Sequence, residues 1–195
     1  QHKSNLSIES FAFKGCNSLK SFEIPDNVKS IKYSCFLNCS ALEEVIVPYS
    51  VEEICDHAFE GCSSLKCINV YSSTRNKDFL KDYSSYDKVF KYIYITQVKV
   101  IGKNSFKGCT SIESILFSNS LTLLDSYCFY GCSSIKRIKI PSSITEICDH
   151  IFENCSSLEN IEIPDSIKSI GERCFSNCSK LKNITIPSSV QSIGS

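Results

Sequence analysis

The chain has 195 residues, enough for one domain with a sizeable core, and its 21 basic and 21 acidic residues give a net charge of zero. Balanced charge removes the general electrostatic argument for binding nucleic acid or an anionic membrane surface, so no nucleic-acid partner is expected. No apolar run approaches the ~18 residues that a membrane helix needs, so we expect no membrane insertion by this segment. The chain lacks Met, which indicates a processed chain or a fragment.

The chain opens with a partial unit, in which Ile8 and Phe13 are apolar, and continues with a unit that repeats every 23 residues. A unit begins with Cys and has an aliphatic residue at +3, apolar residues at +6, +8, +12 and +15, and Phe at +20. Five units also have Pro at +9. The regular units begin at Cys16, Cys39, Cys62, Cys109, Cys132, Cys155 and Cys178. Because the last unit stops midway, we expect a piece of a longer array.

Residues 71–97 depart from this template, with no Pro or Gly and five of the nine tyrosines. Between Cys62 and Cys109 lie 47 positions, two units plus one residue, which we interpret as a slightly long coil followed by a degenerate coil starting near 86. In that register Tyr92 and Tyr94 point inward, whereas a slip of one residue would turn them outward. The spacing of apolar residues predicts a short helix near 76–83.

One unit cannot bury its own apolar face, whereas stacked units can, so the repeat predicts a single α/β solenoid over 1–195, with coils starting near 16, 39, 62, 86, 109, 132, 155 and 178. Alternating residues around +6 and +8 predict a strand in each coil and a parallel β-sheet on one face. The Phe at +20 predicts short helical turns or irregular structure on the other face. Gly or Asn precedes each repeat Cys, which predicts a turn with positive φ.

The pattern C-x-x-L-x-x-I-x-I-P-x-S-V-x-x-I-x-x-x-C-F resembles the BspA-like leucine-rich repeat, also called the Treponema-pallidum-type repeat, along nearly the whole chain. This resemblance implies a right-handed superhelix. It also implies a surface protein of a bacterium or a parasitic protist that attaches to host cells, extracellular-matrix proteins or other microbes. Fold alone does not dictate that function.

The tripeptide Cys-Asp-His occurs at 55–57 and at 148–150, with the residue types of a cysteine nucleophile or a zinc site. Four coils separate the two sets, roughly 19 Å at ~4.8 Å per coil, which is too far for a shared metal. Each set alone has too few ligands for a tetrahedral site. The favoured interpretation is structural, with Cys packed inward and Asp and His on a solvated turn. We therefore expect no catalytic residue, metal or cofactor, and no enzyme.

Seven of the thirteen cysteines begin a unit, and five more occupy positions that small residues such as Ala, Gly or Ser fill in other units, so small size is what these positions select. This pattern favours buried free thiols, and disulfides in a secreted protein are the alternative. Cys67 lies on a strand outside these positions and is the expected reactive thiol.

Two groups of residues are candidates for partner binding. The tyrosine-rich stretch offers an aromatic contact patch, because Tyr and Arg are enriched at interface centres, although its tyrosines could simply fill a misshapen coil. The strand face adds two apolar residues at the outward +7 position. The candidates are Tyr71, Arg75, Tyr83, Lys91, Tyr92, Tyr94, Ile46 and Leu116. Mixed charge elsewhere on this face argues against a dedicated acidic or basic ligand.

These observations leave two leading functions. The first is a non-enzymatic protein-binding module, secreted or on the cell surface, that binds host matrix or surface proteins, as the resemblance implies. The alternative is a cytoplasmic scaffold for protein–protein interaction. The sequence sets no oligomeric state.

Overall fold

The computed structural model describes residues 7–71, 92–95, 97–117 and 119–195, with the backbone alone at 69–71 and 92–95. Within these ranges the chain forms short strands joined by turns, and no helix is present. The strands are β1 (Ser21–Glu23), β2 (Ser30–Ile31), β3 (Glu44–Pro48), β4 (Glu53–Ile54), β5 (Cys67–Tyr71), β6 (Tyr92–Ile95), β7 (Val100–Ile101), β8 (Ser114–Phe117), β9 (Leu123–Leu124), β10 (Arg137–Lys139), β11 (Glu146–Ile147), β12 (Asn160–Glu162), β13 (Ser169–Ile170) and β14 (Ser192–Ile193).

Seven of these strands form one parallel sheet in the order β1-β3-β5-β6-β8-β10-β12. Phe22 pairs with Val45, and Val45 pairs with Ile68, so neighbouring strands are offset by one 23-residue unit. Side chains alternate along a strand, and Val45 is buried while Glu44 and Ile46 beside it are partly exposed. The predicted solenoid with a parallel sheet is confirmed.

The shorter strands line a second side of each coil, as a four-stranded sheet β2-β4-β7-β9 and a three-stranded sheet β11-β13-β14. Here too the pairs are parallel, for example Ile31 with Ile54. The turns that follow β2, β4, β7, β9, β11 and β13 contain hydrogen bonds from a backbone N–H to a carbonyl three residues earlier, such as Cys39 N to Phe36 O at 3.1 Å. These single turns are what the sequence predicted for this side.

Two rows of residues with positive φ bracket each turn. One row precedes the repeat cysteine and has φ between 59° and 74°, which confirms the prediction; it comprises Gly15, Asn38, Gly61, Gly108, Gly131, Asn154 and Asn177. The other row was not predicted, because most of its residues are neither Gly nor Asn. It has φ between 49° and 64° and comprises Phe11, Ser34, His57, Asn104, Tyr127, His150 and Arg173.

A column of phenylalanines runs through the core, one from each turn. Neighbouring rings are stacked with centroids 5.3 to 6.1 Å apart, in the order Phe13, Phe36, Phe59, Phe106, Phe129, Phe152 and Phe175. The five inner rings are fully buried. Stacking gives each coil an aromatic contact with both neighbours in addition to the area that it buries.

The structure corrects the interpretation of residues 71–97. Ile93 pairs with Ile68 and with Ile115, so β6 has the slipped register and not the one that placed Tyr92 at +6. In addition, β4 pairs directly with β7, Ile54 with Ile101, so no complete coil starting near 86 lies between them. Within the described residues, the segment adds the strand β6 to the seven-stranded sheet. The helix predicted near 76–83 lies outside the described residues.

Candidate functional site

The outward side of the seven-stranded sheet, which we call the strand face, carries two rows of side chains. Ile46 and Leu116 belong to the row at +7 and are half-buried, whereas most other residues described in that row are polar and exposed. Tyr94 pairs with Leu116, and Ile46 pairs with Asn69. The register therefore places Tyr94 in the same row as Ile46 and Leu116, whereas the sequence indicated two separate groups.

The remaining predicted contact residues fall in different places. Tyr92 pairs with Ser114 in the row at +5, and Tyr71 ends β5 in register with Pro48. Arg75, Tyr83 and Lys91 lie outside the described residues.

Charges flank the centre of the strand face asymmetrically. Toward β1 and β3 lie Glu23, which is exposed, and Glu44, which is half-buried. Toward β10 and β12 lie the exposed Arg137 and Lys139, and Lys139 Nζ is 2.9 Å from Glu162 Oε2 in the next strand. An apolar centre with a polar, charged rim is the usual composition of a protein–protein interface.

The two Cys-Asp-His sets have a structural role in the described residues. Asp56 Oδ1 accepts a hydrogen bond from the Lys103 N–H at 2.9 Å, and Asp149 Oδ1 accepts one from the Glu172 N–H at 2.8 Å. Each Asp thus caps the turn of the following coil. A Cβ on Gly102 would lie 2.3 Å from Asp56 Oδ1, so the Asp is matched with a glycine in the next coil.

Each histidine of these sets adopts positive φ and contacts the glutamate three residues later, His57 with Glu60 and His150 with Glu153. His150 also stacks on Tyr127, with ring centroids 4.3 Å apart. The contact between His and Glu was not predicted, although both sets share the spacing His-x-x-Glu in the sequence.

The distance between the two sets needs a correction. They are three levels apart in the stack of turns and not four, because the turn at His57 is hydrogen-bonded directly to the turn at Lys103. Within the described residues no group of three or more His, Cys, Asp or Glu side chains is arranged to hold a metal ion.

A ladder of thiols runs beside the phenylalanine column. The repeat cysteines donate S–H hydrogen bonds of 2.9 to 3.3 Å to phenylalanine carbonyls of the preceding coil, and the donors are Cys39, Cys62, Cys109, Cys132, Cys155 and Cys178. Burial raises the pKa of the Cys109 and Cys132 thiols well above the usual value. All thirteen cysteines are free thiols, as the sequence favoured. The protonated thiols of Cys109 and Cys132 are hydrogen-bond donors and not nucleophiles, whereas a hydrogen bond with Cys62 lowers the pKa of Cys39 to about 7.

The two cysteines of the Cys-Asp-His sets are half-buried. Burial raises the pKa of Cys55 and Cys148 to about 11. Their thiolate forms are therefore scarce at neutral pH.

In the described part of the chain, no helix is long and apolar enough to cross a membrane.

Comparisons with known proteins agree with this geometry. The family model described as the BspA type leucine rich repeat region matches residues 2–97 and 78–195, with six copies. A leucine-rich repeat protein from T. pallidum has a TM-score of 0.74 at 24% identity, over 91% of this chain and 72% of that one, which shows the fold. Among curated proteins, none matches the chain.

Two further solved structures are more similar in sequence. A leucine rich cell surface protein from Faecalibacterium prausnitzii A2-165 is 30% identical, with a TM-score of 0.73, over 89% of this chain and 43% of that one. A leucine-rich repeat protein from Bacteroides ovatus ATCC 8483 is 32% identical, with a TM-score of 0.68, over 97% and 49%. The chain therefore spans less than half of the length of these two relatives.

Proteins of this repeat class are generally non-enzymatic, and their repeats indicate a protein-interaction module. The repeat pattern, the strand register and the family match all lead to one assignment: the chain belongs to the BspA-type leucine-rich repeat family.

Proposed function

We propose that this chain binds proteins of a host matrix or host cell through the strand face, as part of a cell-surface adhesin. The observation that carries the proposal is the row in which Ile46, Tyr94 and Leu116 share the +7 position on an otherwise polar face. Tyrosines and buried apolar groups at the centre of a patch supply most of the binding energy in protein interfaces.

The size of the strand face suits a protein ligand. Seven strands at ~4.8 Å spacing make it about 30 Å long, the scale of a standard protein interface. The charges at its two ends specify the partner further. A folded protein with an apolar centre would complement the face if basic groups met Glu23 and Glu44 and acidic groups met Arg137.

The proposed location rests on relatives. The F. prausnitzii protein is described as a cell surface protein, and it shares 30% of the aligned residues with this chain. A cytoplasmic scaffold is the second candidate, and the thirteen free thiols favour it, because oxidising compartments promote disulfides.

The test is binding of the purified chain to surfaces coated with fibronectin, laminin or collagen, and to cultured epithelial cells. Leu116→Glu places a charge at the centre of the strand face and should weaken binding at least tenfold. Leu123→Glu is the matched control, because Leu123 is an exposed leucine on β9 in the other sheet. It should bind like the unmodified chain.

Equal binding by the two variants would remove the strand face from the proposal. Absence of saturable binding by the unmodified chain on every surface would refute host adhesion by this segment and favour the scaffold.

A further inference from the structure

Contacts between neighbouring turns follow one spacing along the stack, with a single exception. Asn38 N donates to Glu60 O and Gly108 N donates to Tyr130 O, each pair 22 residues apart in sequence. The equivalent bond from Gly61 N reaches Lys107 O, 46 residues away. The excess at this one boundary is 24 residues.

Other contacts between the same two coils, outside the seven-stranded sheet, show the same excess of 24 residues in sequence separation. Phe59 stacks on Phe106 with ring centroids 5.3 Å apart, the same distance as Phe36 from Phe59. Ile54 pairs with Ile101 across the four-stranded sheet. The Thr110 hydroxyl lies 3.3 Å from the Ser63 carbonyl, so the coils also touch just before their long strands begin.

The excess can be located between β5 and β7. β5 pairs with β3 over five residues at the regular offset of 23. If Tyr71 is joined to Thr96 by removing residues 72–95, then residues 62–71 and 96–108 make one coil of 23 residues. In that coil the apolar template positions +3, +6, +12, +15 and +20 are all filled by buried side chains, namely Leu65, Ile68, Val98, Ile101 and Phe106.

β6 is therefore a supernumerary strand. It lies between β5 and β8 in the seven-stranded sheet, and the part of the chain that the structure describes has no corresponding level among the turns or in the four-stranded sheet. Its register puts Tyr92 beside Ser114 and Tyr94 beside Leu116. Because the other outward residues come from regular coils, β6 is the feature that distinguishes this strand face from a uniform solenoid.

We infer that residues 72–95 are an insertion into one complete coil, that the solenoid folds without them, and that β6 determines which protein the strand face binds. The last part rests on the proposed function. The first two parts are independent of it, because they follow from contacts between turns.

Deletion of residues 72–95 tests the inference in the full chain. The variant should keep the β-type circular dichroism of the parent and an unfolding midpoint that is no lower, because β5 and β8 can then pair directly. Its binding to fibronectin-, laminin- or collagen-coated surfaces should fall at least tenfold wherever the parent binds. Substitution of both Tyr92 and Tyr94 by Ser keeps the strand and should produce the same loss of binding.

Deletion of residues 133–155 is the matched control. It removes one regular coil of 23 residues, including the buried Phe152, and it joins Cys132 to Ser156 in register. This variant should unfold at a lower midpoint than the parent, because a repeat protein loses the stability that each removed coil and its interfaces contribute. It is the control for folding alone, because the deletion also removes β10 with Arg137, which belongs to the proposed interface.

The outcomes separate the inference from the proposed function. An unfolded or aggregated 72–95 deletion variant, beside a folded 133–155 deletion variant, overturns the insertion. A folded 72–95 deletion variant that binds like the parent overturns the role of β6, while the Leu116→Glu result still judges the strand face. If the parent binds none of the surfaces, the proposed function and the β6 role both fail, and folding of the deletion variant still decides the insertion.

Discussion

Direct stacking of Phe59 on Phe106 can be measured as a coupling free energy. Both rings are fully buried, with centroids 5.3 Å apart, although 47 positions separate them in sequence. Replacing either residue by Leu should lower the free energy of unfolding by about 1 to 1.5 kcal/mol, because the smaller side chain leaves the core underpacked. Since stacked aromatic pairs contribute about 0.5 to 1.5 kcal/mol beyond buried area, the double variant should lose less than the sum by about that amount.

The assay is urea denaturation of the four proteins in the cycle, followed by circular dichroism. Phe36 and Phe106 form the control pair, because Phe59 lies between them, and their coupling should stay below roughly 0.5 kcal/mol. A Phe59–Phe106 coupling no larger than that of the control pair would refute the direct contact. That result would restore a complete coil between the two turns.

Three further predictions concern the turns and the thiols. Gly102→Ala should destabilise the chain by about 1 to 3 kcal/mol in thermal unfolding, because the new Cβ would lie 2.7 Å from the Asp56 backbone N. Adding Asp56→Ala to this variant should not restore stability, because the backbone N remains in place. At Gly131, with φ of 71° and no neighbouring atom within 4 Å of a Cβ, substitution by Asn should cost less than substitution by Val, as equilibrium unfolding can show. Ellman's reagent should react with no more than four thiols in the native chain, the half-buried ones, and with thirteen in urea; more than four in the native state would contradict the buried ladder.

The same thiols predict how stability changes in alkali. Unfolded cysteines ionise around pH 8.5, whereas burial holds the folded pKa of Cys178 at about 11. Between these values the unfolded state binds fewer protons than the folded state, so the free energy of unfolding should fall as pH rises through this window. Urea denaturation at pH 7.5, 9 and 10.5 measures the slope. Stability that is flat over this range would contradict the raised pKa values.

Much of the fold could be predicted because its determinants are local and repeated. The 23-residue period, the inward positions and the positive φ of Asn38 or Gly61 each depend on one unit of sequence and its neighbour. The role of Asp56 could not be predicted in the same way. Its partner is the Lys103 amide, and that pairing depends on which coil comes next in the stack.

The candidate site was likewise predicted only in part from the sequence. The repeat pattern predicted Ile46 and Leu116 as outward apolar residues, and the sequence showed that residues 71–97 are rich in tyrosine. It did not predict that these two groups lie on the same surface. Length alone allowed the 47 residues from Cys62 to Cys109 to be read as two coils. Contacts between coils, such as the pairing of β4 with β7 and the stacking of Phe59 on Phe106, distinguish two coils from one coil with an insertion. The spacing of residues along the sequence does not show which coils are in contact.

The sequence by itself therefore determined the architecture of a coil, since side-chain alternation and turn conformation are properties of short segments. The tertiary structure decided how the coils stack around residues 72–95 and where Tyr92 and Tyr94 fall on the strand face. The physical reason is the period of two along a strand. A register shift of one residue exchanges the two faces of β6, and backbone pairing with Ile68 and Ile115 sets that register.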